Sequence, residues 1–140
     1  MGKTYLCCAG LKVFEKYNIS EKNNMAKINP VKRLLDMAFE MMEYAKTVTY
    51  HGDKKLRLKI GINVGDVIAG VIGGHKPQFS LIGDTVNTAS RLCSTGLDEK
   101  ITLSSEAKKT IESSEYIFSQ RFVEVFFFFP RCISFLYFLL

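Results

Sequence analysis

The chain lacks any arrangement of cysteines that would hold a metal ion or a disulfide framework. Its four cysteines stand at 7, 8, 93 and 132, with no C-x-x-C pair. Cys7 and Cys8 are adjacent, so in a strand they point to opposite faces and cannot easily share one ion. The pattern predicts reduced thiols in a cytosolic protein. Residues 1–9 are too short and too polar to read as a secretory signal. There is no run of about 20 apolar residues, the length a membrane-spanning helix needs. The apolar stretch FFFFPRCISFLYFLL, at 126–140, is interrupted by Pro130 and Arg131. No internal repeat is visible, and no motif interleaves aromatic with basic residues as a nucleic-acid surface would.

What is present fits one domain. The chain has 140 residues, 47% apolar and 24% charged, a globular composition with enough length for a single core. The net charge of +5 is uneven. Residues 1–60 carry 12 basic and 6 acidic side chains, and residues 61–140 carry 7 and 8. The excess sits mainly at Lys12, Lys16, Lys22, Lys27, Lys32, Lys54, Lys55, Arg57 and Lys59. Such charge would attract an anionic surface, but a solvated face and loop is the simpler reading. No nucleic-acid partner is expected.

Local patterns give the elements. Residues 4–9, TYLCCA, form a short β-rich run before Gly10. Residues 15–29 are polar and aperiodic, a loop. Asn29-Pro30 then starts a helix, with Val31, Leu34, Leu35, Ala38, Met41, Met42 and Ala45 at helical spacing. The methionines read as core filler. His51-Gly52-Asp53 is the expected stop. Leu56, Leu58, Ile60 and Ile62 alternate with Arg57, Lys59 and Gly61, the mark of a half-buried strand. A turn at Gly65-Asp66 and a second strand at 67–72 suggest a hairpin of these two runs. A strand at 79–82 leads through Gly83 to a helix over 85–95. Asp84 is its expected N-cap, Val86, Ala89, Leu92 and Cys93 face inward, and Gly96 ends it. A strand at 101–103, a helix over 106–112 capped by Ser104 or Ser105, and a strand pair within 116–125 complete the order. Hairpins mixed with helices predict an α+β domain of ferredoxin-like plan, with a largely antiparallel sheet and helices on one side.

Asn87 and Arg91 stand at i and i+4, one above the other on the second helix. The guanidinium fork suits phosphate, and an amide both donates and accepts toward a ribose. Taken alone, such a pair is as well explained by an ordinary solvated surface. Upstream, Gly61, Gly65, Gly70 and Gly73 punctuate GINVGDVIAGVIG. Glycines at that density inside strands mark bulges or close approach of another backbone, a ligand or a partner.

The runs GINVGDVIAGVIGG, PQFSLIGDTVNTASRLCSTG and ITLSSEA closely resemble the catalytic domain of the class III nucleotidyl cyclases, the adenylate and guanylate cyclases. The likeness extends from Gly2 to Val125. It implies a cyclase domain at 1–125, truncated at its N-terminus, and an apolar tail at 126–140 outside it. That tail resembles translated non-coding sequence; the functional alternative is a membrane-surface anchor. The resemblance further implies that Asn87 orients the ribose and Arg91 stabilises the charged phosphate during cyclisation. It places Ser80 at the purine-selecting position, where a hydroxyl can donate to the guanine 6-oxo group and an aspartate would accept from adenine. GTP is therefore the expected substrate, with ATP the alternative.

The chain departs from the family pattern at two places. Lys3 stands where the family has a metal-binding aspartate, and no lysine follows Lys109 to meet the terminal phosphates. The resemblance is thus to the partner half of a composite site. Mg²⁺ or Mn²⁺ would come with a second cyclase domain carrying the aspartates, and this chain alone would bind none and make no product. The alternatives are an adenylate cyclase half, or a non-catalytic domain regulating a partner half. Membrane attachment, at the cytoplasmic face, is implied only through a larger parent protein; a chain this short would be cytoplasmic.

Overall fold

A computed structural model of the chain describes residues 5–11, 29–50, 52, 54–111, 116–120 and 136–139. The elements in order are β1 (Tyr5–Cys8), α1 (Pro30–Thr47), β2 (Thr49–Tyr50), β3 (Lys54–Lys55), β4 (Ile60–Asn63) and β5 (Ile68–Ile72). They continue with β6 (Gln78–Ile82), α2 (Asp84–Thr95), β7 (Ile101–Leu103), α3 (Ser105–Lys109) and β8 (Leu136–Leu139). Four strands form one sheet in the order β1-β8-β4-β7, and β2-β3 and β5-β6 form separate two-stranded ribbons.

α1 begins as the sequence predicts. The Asn29 side chain accepts from the Val31 amide at 2.9 Å, and Pro30 occupies the first turn, where no amide is needed. Val31, Leu34, Leu35, Ala38 and Ala45 are buried. With Ile60, Ile62, Ala107 and Ile111 most of them make the main core, and Met37, Met41 and Met42 pack against it. The helix stops at Thr47, earlier than His51-Gly52-Asp53 implied. Thr47, Val48 and Thr49 are β-branched and stiff at χ1, which favours extended backbone over another helical turn. The chain then folds into the β2–β3 ribbon.

β4 is the centre of the fold. Ile60 and Ile62 point into the α1 core, and neither is exposed. Gly61 faces the opposite way, onto α2. A carbon added at Gly61 would lie 2.4 Å from the Cys93 amide nitrogen and 2.5 Å from the Ala89 carbonyl oxygen. The glycine thus lets α2 rest directly on the strand. The close approach expected of these glycines is real here, and the neighbour is a helix of the same chain. The two long helices therefore flank β4 on opposite faces rather than on one side.

Strand pairing also differs from expectation. β4 pairs in parallel with β7 and β8, and β1 pairs in parallel with β8. Among the described residues, antiparallel pairing is confined to the ribbons. Parallel pairing follows where a helix crosses between strands, as α2 does between β4 and β7. The hairpin is formed by β5 and β6, not by residues 56–62 with 67–72. Between β4 and β5 the chain is tied to α2 instead. Thr85 Oγ1 donates to the Asp66 carbonyl at 2.8 Å, and Asn63 Nδ2 donates to the Thr85 carbonyl at 3.2 Å. These bonds hold the Gly65-Asp66 turn against the first turn of α2, so β5 leaves β4 and pairs forward.

At α3, Ser104 is the cap, its hydroxyl accepting from the Ala107 amide at 3.1 Å. Residues 116–120 carry no strand; the rest of the strand pair expected in 116–125 lies outside the described residues, as does most of the polar loop over 15–29. Of the apolar tail at 126–140, only Leu136–Leu139 are described, as β8.

Candidate active site

α2 carries two of the three candidate residues. Gly83, at φ 154°, makes the junction with β6, a conformation that suits glycine. An added carbon there would sit 3.1 Å from the Asp66 carbonyl oxygen. Gly83 is the cap, and Asp84 is the first helical residue rather than the N-cap. Its carboxylate lies in the first turn, where the helix dipole favours a negative charge, and accepts from the Thr88 hydroxyl at 3.5 Å. The buried positions are Thr85, Ala89 and Cys93; Val86 and Leu92 are half-buried. The Cys93 thiol donates to the Lys59 carbonyl at 3.2 Å, which fastens the helix to the chain entering β4. Asn87 and Arg91 fall between these anchors and are exposed. One helix, clamped at its first turn by Thr85 and at its last turn by Cys93, thus presents an amide and a guanidinium together on its outer face.

Ser80 lies on β6, half-buried, directly across from Gly70 on β5. Strand alternation puts Ile68, Gly70 and Ile72 on one face of the ribbon with Gln78, Ser80 and Ile82. Ile68 is 74% exposed, Ile72 51% and Ile82 50%. On the other face Val71 is 69% and Phe79 54% exposed. A two-stranded ribbon with this much bare aliphatic and aromatic surface is unusual on an isolated domain. The ribbon runs straight into α2, so Ser80, Asn87 and Arg91 belong to one β-turn-α unit. The Gly70–Ser80 pairing escapes a reading that pairs 56–62 with 67–72. The signal for it is the Gly73-Gly74 turn, which joins β5 to β6.

The charge of the N-terminal half is partly internal. Arg57 and Lys59 both reach Asp98, at 3.7 and 3.1 Å, and Lys32 lies 5.7 Å from the centre of the Tyr116 ring. Tyr116 in turn stacks on Phe39 at 5.8 Å. Cys7, Cys8 and Cys93 are free thiols, and burial pushes the first two upward in pKa, Cys8 also through the charge of Cys7. Lys3 and Cys132 lie outside the described residues. Among the described residues, no three His, Cys, Asp or Glu side chains come together as a metal site would require. The described residues supply no such set of ligands.

The sequence model of the adenylate and guanylate cyclase catalytic domain matches residues 1–126. The chain belongs to that family. It is 40% identical over 118 residues to the receptor-type guanylate cyclase gcy-5 of Caenorhabditis elegans, covering 83% of this chain and 9% of that protein. It therefore spans less than a tenth of that relative. Among solved structures it resembles the guanylate cyclase domain of RhGC from Catenaria anguillulae in complex with GTP, with 36% identity and a TM-score of 0.57. It also resembles the catalytic core of a rhodopsin-guanylyl cyclase with converted specificity in complex with ATPalphaS, with 33% identity and a TM-score of 0.54. Each match covers 60% of this chain and 46% of the other. As a cyclase domain, the chain is an α+β fold with helices packed on its sheet, and α2 exposes Asn87 and Arg91.

Proposed function

We propose that this cyclase domain contributes the purine, ribose and α-phosphate contacts of a guanylate cyclase site completed by a second cyclase domain. The reaction is GTP to cyclic GMP and pyrophosphate. The 3′-hydroxyl oxygen bonds to the α-phosphorus, the bond from that phosphorus to the α,β-bridging oxygen breaks, and the bridging oxygen leaves with the pyrophosphate. The proton of the hydroxyl passes to solvent water. Charge grows on the α-phosphoryl oxygens as this happens, and a fixed guanidinium, Arg91, lowers the barrier by meeting it. Asn87, one turn earlier, holds the ribose so that its hydroxyl lines up with the phosphorus. Ser80 donates to the guanine 6-oxo group.

The observation that carries this reading is the Asn87–Arg91 pair, exposed on a doubly anchored helix that follows the Ser80 ribbon. The bare apolar surface of β5–β6 supports a composite site, because a second cyclase domain is an occupant that would cover it. The metal ions belong on that second domain in this reading, since the described residues here do not fit them. Domain limits of 1–125 rest on the sequence resemblance; the family model matches 1–126, and beyond it Leu136–Leu139 pair with β1 and β4 as β8. The receptor-type relative supports attachment to a membrane, on its cytoplasmic face, through a longer parent protein. Among the described residues, no helix is long and apolar enough to cross one.

Substrate choice is tested at Ser80. In a mixture with a metal-competent cyclase domain, Ser80→Asp is expected to lower turnover of GTP relative to ATP by tenfold or more. An unchanged GTP:ATP ratio would remove Ser80 from purine selection.

A further inference from the structure

The β5–β6 ribbon carries more than a serine. On the face that holds Ser80, three cross-strand pairs follow one another: Ile68 with Ile82, Gly70 with Ser80, and Ile72 with Gln78. The outer pairs bring three isoleucines, all at least half exposed. The middle pair brings a hydroxyl and a hydrogen atom. Among the described residues, a carbon added at Gly70 would find nothing within 4 Å. The middle of this face is thus a notch, open at Gly70, walled by isoleucine at both ends and edged by the Ser80 hydroxyl. Ile68 and Ile72 are four residues apart, so the walls stand about 13 Å apart along the strand.

Packing among the described residues does not call for this glycine. Gly61, Gly65, Gly73 and Gly96 each have an atom within 3 Å of where a side chain would begin, and Gly70 has none. Nor does backbone conformation require it, since Gly70 is not among the glycines of positive φ. Inside a strand such a glycine weakens the ribbon, by roughly 0.5–1 kcal/mol against alanine. A glycine without a neighbour or a backbone reason, directly across from a polar side chain, points to something outside the chain that lies there.

We propose that Gly70 is a specificity-determining position of the purine site: its bare backbone is the floor on which the guanine ring lies while Ser80 reaches the ring's edge. This rests on the guanylate cyclase reading above. The chemistry suits a purine. Its face is flat and apolar, and it settles on peptide backbone between aliphatic walls. Its edge carries the 6-oxo acceptor that a serine hydroxyl can meet. A side chain at 70 would lift the ring off the floor and move that edge away from Ser80.

The test uses the full chain mixed with a metal-competent cyclase domain, with equilibrium binding of GTP and of inorganic tripolyphosphate as two probes. Gly70→Val is expected to weaken GTP by at least tenfold and to leave tripolyphosphate within twofold. Gly70→Ala should fall between the two proteins. Valine suits an open strand position, so the ribbon is expected to persist, and the alanine variant provides the milder step if it does not. Gly70→Val and Gly70→Ala that both bind GTP like the unaltered chain would overturn the proposal and leave the cyclase reading standing. Equal weakening of both probes would also overturn it, because the change would then act on the fold or the pairing. If the unaltered mixture binds no GTP, the cyclase reading itself falls, and this proposal with it.

Discussion

Replacing Gly61 with alanine drives a methyl group into the backbone of α2. The added carbon starts 2.4 Å from the Cys93 nitrogen and 2.5 Å from the Ala89 oxygen, and neither atom sits on a side chain that can swing aside. Opening the closer contact to the 3.4 Å of ordinary packing moves helix and strand apart by about 1 Å. Overpacking of this kind costs about 1–3 kcal/mol. Alanine returns about 0.4–1 kcal/mol by restricting the unfolded chain, so a mid-range overpacking cost of about 2 kcal/mol leaves a net loss of about 1–1.6 kcal/mol. At a typical urea dependence of about 1–3 kcal/mol per molar, the unfolding midpoint falls by roughly 1 M. The same displacement carries Asn87 and Arg91 with the helix, and a misplacement of about 1 Å in a reacting site is worth about 100-fold in rate. Urea titration followed by circular dichroism, beside cyclic GMP formation with a partner domain, reads both effects. Gly74→Ala is the control, since nothing lies within 4 Å of its added carbon. A Gly61→Ala chain whose midpoint stays within about 0.2 M of the original would refute the direct seating of α2 on β4.

The first turn of α2 gives a second prediction. Thr85→Val keeps the shape but removes the hydroxyl that donates to the Asp66 carbonyl, and is expected to cost about 1 kcal/mol in urea unfolding. An unaltered stability would show that this bond does not tie the Gly65-Asp66 turn. The thiols of β1 give a third. Burial raises the pKa of Cys7 and Cys8 in the folded chain, so the fold favours the neutral thiol. That contribution is fully present below the unfolded thiol pKa and is lost as pH rises through the folded value. The unfolding midpoint should therefore fall from roughly pH 8.5 upward, and fall less steeply in a Cys7→Ala, Cys8→Ala chain. Identical pH profiles would place those thiols in water.

The helices were the most legible part of the sequence. Asn29-Pro30 with seven apolar positions at helical spacing specifies α1, and Ser104 specifies the start of α3, because capping and periodicity are local. The strands were less so. Leu56, Leu58, Ile60 and Ile62 alternate correctly, yet pairing is a choice of partner made at a distance. Here it is decided by Thr85, which binds Asp66 and turns β5 away from β4. The role of Gly61 was half legible: glycine in a strand announces a close neighbour, but only the fold shows that the neighbour is α2. At the site, Asn87, Arg91 and Ser80 were named from motif and resemblance, and the fold puts them on one ribbon-helix unit. Gly70 is legible only as one of several strand glycines that mark a close approach, because its particular meaning depends on standing across from Ser80. Asp84 looked like a cap and proved to be the first helical residue, since Gly83 already makes the turn.

The most direct test of the central claim is complementation. The chain is mixed with a homologous guanylate cyclase domain that keeps its metal-binding aspartates but has alanine at the positions matching Asn87 and Arg91, and cyclic GMP is measured. The account predicts product from the mixture and from neither chain alone, and its loss when Arg91→Ala is introduced here. A mixture that forms a stable complex yet stays silent, or one whose product is indifferent to Arg91→Ala, would contradict it.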